Sequence, residues 1–331
     1  MTAPESNRKS PEAAAGRPPR LSVVAPCYNE EGNLDALEAR VMAACTAAVG
    51  DDFEIILVDD GSRDSTWRMI QEKSGRNRHI RGISLSRNFG HQIALSAGLD
   101  ACTGDWVFVI DADLQDPPEL LSDMLKLGEE GADVVYGRRR NRPGDSIARK
   151  LAAAAFYRIL NALSDFHIPA DTGDFRLMSR RVMDALMQMP ERHRYIRGMV
   201  SWVGFRQVPI LYDRDPRAVG VTGYNFRRLI SFAIDAIVGF SDKPLRLASQ
   251  LGILIIALGG AAIVFLIYLW LFSQVEAPGW ISLMATVLFL GGLNLLFLGL
   301  IGEYVGRTFE QAKNRPLYIV AGRTGAQDDG R

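Results

Sequence analysis

The sequence predicts an α/β fold: a Rossmann-like, mostly parallel sheet, followed by amphipathic interface helices and a C-terminal two-helix transmembrane hairpin. Three observations carry this expectation. Strand-length apolar runs alternate with helical patterns through the first 140 residues, acidic and polar clusters follow those runs, and two uncharged stretches of 22 residues, Leu251–Phe272 and Ile281–Gly302, lie toward the C-terminus. Strand and helix alternation argues for a doubly wound sheet, and polar clusters at strand carboxyl ends sit where such sheets bind ligands.

The first strand is Leu21–Pro26, followed by polar turn residues and a helical pattern over 32–49. Phe53–Val58 repeats the theme, after which Asp59-Asp60-Gly61-Ser62 turns the chain toward a second helix that Asp64-Ser65-Thr66 starts. Ile80–Leu85 is a weaker strand before the helical Gly90–Ala101. Trp106–Ile110 is the fourth strand, and its run Val107-Phe108-Val109-Ile110 reads as buried on both faces. Asp133–Tyr136 adds one more, and Asp145–Phe166 and Tyr224–Phe240 read as helices with apolar faces. The second of these is expected either to pack on the domain or to lie in a lipid interface.

At about 1.5 Å per residue, each uncharged stretch reaches roughly 33 Å, enough for a bilayer's hydrocarbon core. The connecting loop Ser273–Trp280 carries Glu276 and no Lys or Arg, whereas the outer flanks carry Lys243 and Arg246, and Arg307, Lys313 and Arg315. The positive-inside rule then puts both flanks and both termini in the cytoplasm, with the loop outside the cytoplasmic (inner) membrane. The expected divisions are a disordered tail at 1–20, a main domain at 21–220, juxtamembrane amphipathic helices at 221–248, two transmembrane helices within 249–303 and a cytoplasmic tail at 304–331.

Basic and acidic side chains number 38 each among 331 residues, so the balanced charge makes no bulk case for nucleic acid as a partner. Cys27, Cys45 and Cys102 lack paired or metal-ligand spacing and read as reduced packing residues.

The chemistry concentrates in Asp111-Ala112-Asp113-Leu114-Gln115. In an extended segment alternate residues face one side about 6–7 Å apart, so Asp111, Asp113 and Gln115 would present three oxygen-bearing groups to one place. Such a set suits Mg²⁺ or Mn²⁺, which take one or two carboxylates plus substrate phosphates, and the lack of His or Cys nearby in sequence argues against zinc. Asp116-Pro117-Pro118-Glu119 reads instead as a capping box. The clusters Pro26-Cys27-Tyr28-Asn29-Glu30-Glu31 and Asp59-Asp60-Gly61-Ser62-Arg63-Asp64 are each ambiguous alone, since turns and N-caps use the same residues. Their coincidence with Asp111 and Asp113 on one rim points to a nucleotide diphosphate pocket. Arg138-Arg139-Arg140-Asn141-Arg142 and Arg149-Lys150 form the only dense basic run in the domain, facing either anionic lipid or a specific phosphate.

The segments PCYNEEGNL, LVDDGSRDST, SRNFGHQIALSAGL, DADLQDPPEL and DTGDFRLMSRR together resemble the successive motifs of family 2 glycosyltransferases with the GT-A fold. The resemblance covers about residues 20–245 and is closest to polyprenyl-phosphate glycosyltransferases, a group that includes bactoprenol glucosyltransferases and dolichyl-phosphate mannose synthases. It implies transfer of one sugar from a nucleotide sugar to polyprenyl (undecaprenyl) phosphate with inversion, for lipid-linked sugars of the cell envelope. UDP-glucose is the favoured donor, with N-acetylhexosamine, 4-amino-arabinose or mannose donors open. It implies that Asp111, Asp113 and Gln115 hold the metal, that Pro26, Tyr28, Glu30 and Asp59 or Asp60 hold base and ribose, and that Arg87, Asn88, His91, Asp111 and Ala112 line the donor crevice. Asp174 and Arg176, with Asp113, fall near the reacting centre, Asp174 as a base or an orienting group; Arg139 and Arg149 are the candidates for the acceptor phosphate. Relatives commonly carry Lys before the position of Tyr224, where this chain has Gly223.

The resemblance leaves open a homo-oligomer formed through the anchor and a flippase partner. A catalytically dead scaffold for flippase or polymer assembly is the reading from another class, and the retained Asp111 and Asp113 argue against it. A processive polysaccharide synthase would carry a Gln-x-x-Arg-Trp segment and more spans, and a nucleotidyltransferase a Gly-rich, Lys-bearing loop after the first strand; neither pattern is found.

Overall fold

The computed structural model describes residues 18–140, 172–192, 194–213, 243–272 and 279–325. Eight strands form one sheet in the order β7-β5-β6-β4-β1-β2-β3-β8. Its centre is the alternating run read from the sequence: β1 (Leu21–Cys27), α1 (Leu34–Val49), β2 (Phe53–Asp59), α2 (Thr66–Arg76), β3 (Ile80–Leu85), α3 (His91–Ala101) and β4 (Trp106–Val109). β4, β1, β2 and β3 are parallel neighbours, with Val24 opposite both Ile56 and Val109. Every residue of β1 and β2 is buried. Alternate side chains feed two apolar layers: Val23, Ala25, Ile55 and Phe108 pack with α1 and α4 (Leu121–Glu129), while Val24, Ile56, Val58 and Val109 pack with α3.

Beyond β4 the chain adds β5 (Val134–Arg139), β6 (Thr172–Ser179), α5 (Arg180–Met187), α6 (Ile196–Val203) and β7 (Gln207–Tyr212). β6 enters antiparallel between β4 and β5, with Val109 opposite Arg176 and Tyr136 opposite the same Arg176. Its odd residues Phe175 and Leu177 join one apolar layer and Met178 joins the other. Phe175 meets Phe108 edge-on at 5.3 Å and Tyr212 at 5.5 Å, so aromatic rings on β4, β6 and β7 pack in sequence. Gly137 of β5 makes room for this: a β-carbon there would stand 2.5 Å from Phe175 and 2.8 Å from Tyr212.

After the strands come α7 (Lys243–Phe272) and α8 (Gly279–Ala312), each containing one of the uncharged stretches. Among the described residues one segment, Thr286–Ala312, is long and apolar enough to cross a membrane, and Ala248–Ala261 is a shorter apolar stretch. The 304–331 segment, expected as a tail, holds the end of α8 and then β8 (Val320–Thr324), which pairs antiparallel with β3. Gln311 of α8 accepts from the Arg192 amide at 3.0 Å and donates to Pro190 O at 2.7 Å, and Tyr318 OH donates to Asp100 at 2.7 Å. The expected helices at 145–166 and 224–240, most of the N-terminal tail, the loop with Glu276, and Gly223 lie outside the described residues.

Two local expectations are corrected. The capping box does not form: a 3₁₀ turn spans Pro118–Leu120 with no side-chain cap. Arg40 of α1 takes both Glu119 oxygens at 2.8 Å, and buried Asp116 accepts from Tyr212 OH, because these tertiary donors replace the local amides. The extended alternation of 111, 113 and 115 also fails, since β4 stops at Val109, Ala112 and Asp113 form a turn, and Leu114 is left-handed at φ 54°.

Filling the space over β5 should be costly. Gly137→Ala is expected to destabilise the protein by about 1–3 kcal/mol through overpacking, seen as a lower Tm of the detergent-solubilised protein; an unchanged Tm would show that the rings have other room.

Candidate functional site

β1 and β4 are neighbours, and the chain leaving β1 proceeds to β2 in one direction along the sheet while the chain leaving β4 proceeds to β5 in the other, so a crevice opens beyond their carboxyl ends. It has a volume of about 950 Å³ and is lined by Pro26, Tyr28, Glu30, Asp60, Asn88, His91, Asp111, Ala112 and Asp113, among others. The structure thus brings these sequence-derived candidates together. Asp59, Arg87 and Gln115 stand outside the lining.

On the β1 and β2 side, Tyr28 is 41% exposed, with its ring available to the crevice. The Glu30 carboxylate accepts from Asn33 Nδ2 at 2.6 Å, and the Glu30 amide donates to Thr66 Oγ1. Asp59 is occupied in the fold, accepting from the Ser62 amide and the Ser84 hydroxyl, each at 3.1 Å. Asp60 turns the other way and accepts from the amides of Phe89 at 2.7 Å and Gly90 at 2.9 Å. Burial pushes its carboxyl above the usual range, even though those two amides favour the anion. Gly61, at φ 66°, lets the 87–88 backbone approach so closely that a β-carbon would lie 2.5 Å from Arg87 C. Arg87 itself lies over the Phe89 ring at 4.0 Å and donates to Asn88 O.

At the end of β4, Asp111 faces His91 of α3, whose Nε2 lies 3.4 Å from Asp111 Oδ1 and 3.2 Å from Asp174 Oδ2. The donor atoms of His91, Asp111 and Asp174 all lie within 4.8 Å of one another. Burial raises the Asp111 carboxyl to about 6, with Asp174, Asp116 and Asp113 adding to the rise. Burial draws His91 downward, but Asp174 and Asp111 outweigh it and hold the imidazole above its ordinary value. Asp113 Oδ1 accepts from the Gln115 amide at 3.2 Å, which closes the turn, and Gln115 is buried within it. Asp111 Oδ1 is buried and accepts no hydrogen bond, with the His91 ring 3.4 Å away, and a second carboxylate, Asp113, stands on the same crevice wall, a pair of oxygen donors that fits a hard cation.

Asp174, 1% exposed, is densely bonded. Arg197 Nε donates to Oδ1 at 2.8 Å and Nη2 to Oδ2 at 3.1 Å, while Gln92 Nε2 donates to Oδ2 at 2.9 Å. Burial alone would raise its pKa, yet Arg197, His91 and Arg176 hold the carboxyl well below the usual range. Arg176 is buried with its Nε unsatisfied; it donates to Gly173 O at 2.9 Å and stands 3.9 Å from Asp174, and burial lowers its pKa to about 10.

Arg197 and Gln92 are absent from the sequence-derived set. One signal could have found Arg197: a lone cation near the N-terminus of an otherwise apolar helix, where the helix dipole disfavours it unless an anion is close. Arg139 is outside the crevice lining but beside Gly173, where a β-carbon would stand 3.3 Å from its Nη2; its Nε donates to Tyr212 OH at 3.3 Å and its Nη2 is 3.9 Å from Asp116. Arg149 lies outside the described residues.

Residues 22–187 match the family model described as Glycosyl transferase family 2, and residues 243–308 match the one described as GtrB C-terminal hairpin. An uncharacterized glycosyltransferase of Synechocystis is 46% identical over 301 residues, covering 91% of this chain and 94% of that one. YkcC of Bacillus subtilis, also named an uncharacterized glycosyltransferase, is 44% identical over 91% of this chain and 93% of its own. The bactoprenol glucosyl transferase of Shigella phage SfII is 35% identical over 91% of this chain and 97% of its own.

The Asp60 tie should be measurable apart from any activity. Asp60→Ala is expected to cost about 1–3 kcal/mol, the range for leaving a buried donor without its acceptor, and to speed hydrogen exchange at the Phe89 and Gly90 amides; unchanged exchange there would refute the tie.

Proposed function

The chain belongs to glycosyl transferase family 2, and from that premise we propose that it transfers one sugar from a nucleotide sugar to the phosphate of a polyprenol at the cytoplasmic membrane face. UDP-glucose is the donor and undecaprenyl phosphate the acceptor in this reading, and the product has inverted anomeric configuration. The observation that carries it is the crevice at the β1 and β4 ends, with Asp111 and Asp113 on its wall and the Asp174, Arg197 and Arg176 charge cluster adjoining. Relatives named bactoprenol glucosyl transferase, matched over most of both chains, support the lipid acceptor and the glucose donor. The GtrB hairpin match and the apolar Thr286–Ala312 segment support a membrane seat built from two spans.

In the proposed complex, Tyr28, Glu30 and Asp60 hold the base and ribose, with Pro26, Asn88 and His91 completing the wall. The crevice lining favours Asp60 over Asp59 for this part. Asp111 and Asp113 would hold Mg²⁺ or Mn²⁺, with Gln115 of the same turn as the third candidate ligand. An ion there supplies positive charge to the departing nucleoside diphosphate. Arg176, a buried guanidinium with donor capacity left over, adds charge for the phosphates.

One acceptor phosphate oxygen forms the new bond to the anomeric carbon as the bond to the diphosphate breaks, and the diphosphate leaves with that electron pair. A phosphate with a second pKa near about 6 is already ionised at neutral pH, so little proton removal is required. Asp174 is suited to orientation rather than to the role of base, since both its oxygens already accept hydrogen bonds and its pKa is depressed. Arg139 and Arg149 remain the candidates for the acceptor phosphate, Arg139 held at the end of β5 by Tyr212.

Membranes carrying the protein, incubated with undecaprenyl phosphate and a panel of labelled nucleotide sugars, should yield a lipid-linked sugar from UDP-glucose; no product from any donor would refute the reading. Asp113→Asn should abolish the product, and chelation should do the same until Mg²⁺ or Mn²⁺ is restored. Full turnover after either treatment would remove the metal assignment.

A further inference from the structure

We infer that Arg197 is a positioning residue, acting on the reaction through Asp174 and His91 rather than by touching either substrate; the inference rests on the glycosyl-transfer reading of the crevice. Four observations lead to it. The Arg197 guanidinium forks onto both Asp174 oxygens, at 2.8 and 3.1 Å, a geometry that fixes the plane of the carboxylate as well as its charge. It does so from the second position of α6, an apolar helix whose N-terminus is unfavourable for a cation. Arg197 is therefore placed for its partner and not for its helix.

Gln92 fixes the same pair from α3. Its Nε2 donates to Asp174 Oδ2 at 2.9 Å, and its Oε1 accepts from the Ile196 amide at 3.1 Å, so one side chain bridges the carboxylate and the start of the helix that carries Arg197. The fourth observation is where the chain of contacts ends. Asp174 Oδ2 holds His91 Nε2 at 3.2 Å, and His91 lies 3.4 Å from Asp111 on the crevice wall. Arg197 itself is not among the residues that line the crevice.

Without the fork, the other guanidinium that the described residues place beside the buried Asp174 carboxylate is Arg176, whose Nη2 is 3.9 Å away. Re-pairing with Arg176 rotates the carboxylate, withdraws Oδ2 from His91 and diverts the charge proposed for the phosphates. The base and ribose contacts proposed at Tyr28, Glu30 and Asp60 leave from the ends of β1 and β2, so of the donor wall the change reaches His91 and the phosphate end first. The loss should therefore fall mainly on kcat, with a smaller change in the donor KM.

The experiment compares wild type, Arg197→Ala, Arg197→Lys, Asp174→Asn and the Arg197→Ala/Asp174→Asn pair in the full-length, detergent-solubilised protein. Arg197→Ala should lower kcat about 100-fold, the scale set by misplacing a catalytic group by about 1 Å, with donor KM changed by less than about threefold. The double variant should be no slower than the worse single one, because residues acting as a unit are not additive. Arg197→Lys keeps the charge but not the fork and should recover only part of kcat; it also tests the idea if the alanine variant does not fold. Multiplying effects, a donor KM that rises as much as kcat falls, or a kcat for both Arg197 variants within about twofold of wild type would each overturn the inference.

A second readout does not depend on turnover. In histidine-labelled protein, the His91 imidazole NMR signal, identified among the 4 histidines by its loss in His91→Gln, should move in both Arg197 variants. An unmoved signal overturns the positioning link. Wild-type protein inactive with every donor, but with a His91 signal that responds to Arg197, removes the glycosyl-transfer reading and leaves the link standing.

Discussion

The antiparallel pairing of β6 against β4 is the constraint on which the site depends. It sets Arg176 opposite Val109, so that Asp174, two residues earlier on the antiparallel strand, stands just beyond the end of β4, where Asp111 emerges. Both acids then face α3, and His91 at the start of that helix meets them. A slip of one residue would turn Asp174 and Arg176 to the opposite face and bring Phe175 and Leu177 toward α3. The aromatic contacts of Phe175 with Phe108 and Tyr212 hold the register, since they exist only when Phe175 faces the α1 side.

That register buries charge, and the energetics of buried charge explain the density of the network. A lone carboxylate as buried as Asp174 would lose several kcal/mol of hydration, roughly, on folding. Arg197, Gln92 and His91 offset the loss by direct hydrogen bonding. Removing one partner is consequently worse than the pair's net contribution suggests, because the remaining charge stays buried. Asp111 is the contrasting case: its Oδ1 is buried without a hydrogen bond, and its carboxyl is raised where that of Asp174 is lowered.

The central sheet was legible because parallel strands buried on both faces must be apolar throughout, and Leu21–Cys27, Phe53–Asp59 and Trp106–Val109 nearly are. β6 was not read as a strand, since TGDFRLMS carries Asp174 and Arg176 at alternate positions, and only tertiary pairing makes those positions interior. In the site, the residues at strand ends were legible from their clustering, and the crevice gathers Tyr28, Asp60, Asp111 and Asp113 as that clustering suggested. Arg197 is 23 positions from Asp174 and sits on a helix whereas Asp174 is on a strand, so no local spacing reveals their contact. The capping box failed for the same reason: Arg40 is 79 positions from Glu119, and a bidentate ion pair across elements prevailed over a local cap. The left-handed Leu114 shows the limit of alternation rules, which hold only while a strand continues.

The return of the chain as β8 to the edge of β3 constrains how residues 243–312 pass a bilayer. The segments before and after this stretch are hydrogen-bonded into one sheet, so they occupy the same compartment. Any path through a membrane between them has even parity. The proposed hairpin satisfies this condition and a single crossing does not. In the proposed arrangement the same closure joins the hairpin to the sheet through two stretches of chain, one before Lys243 and one after Ala312, rather than through a single tether.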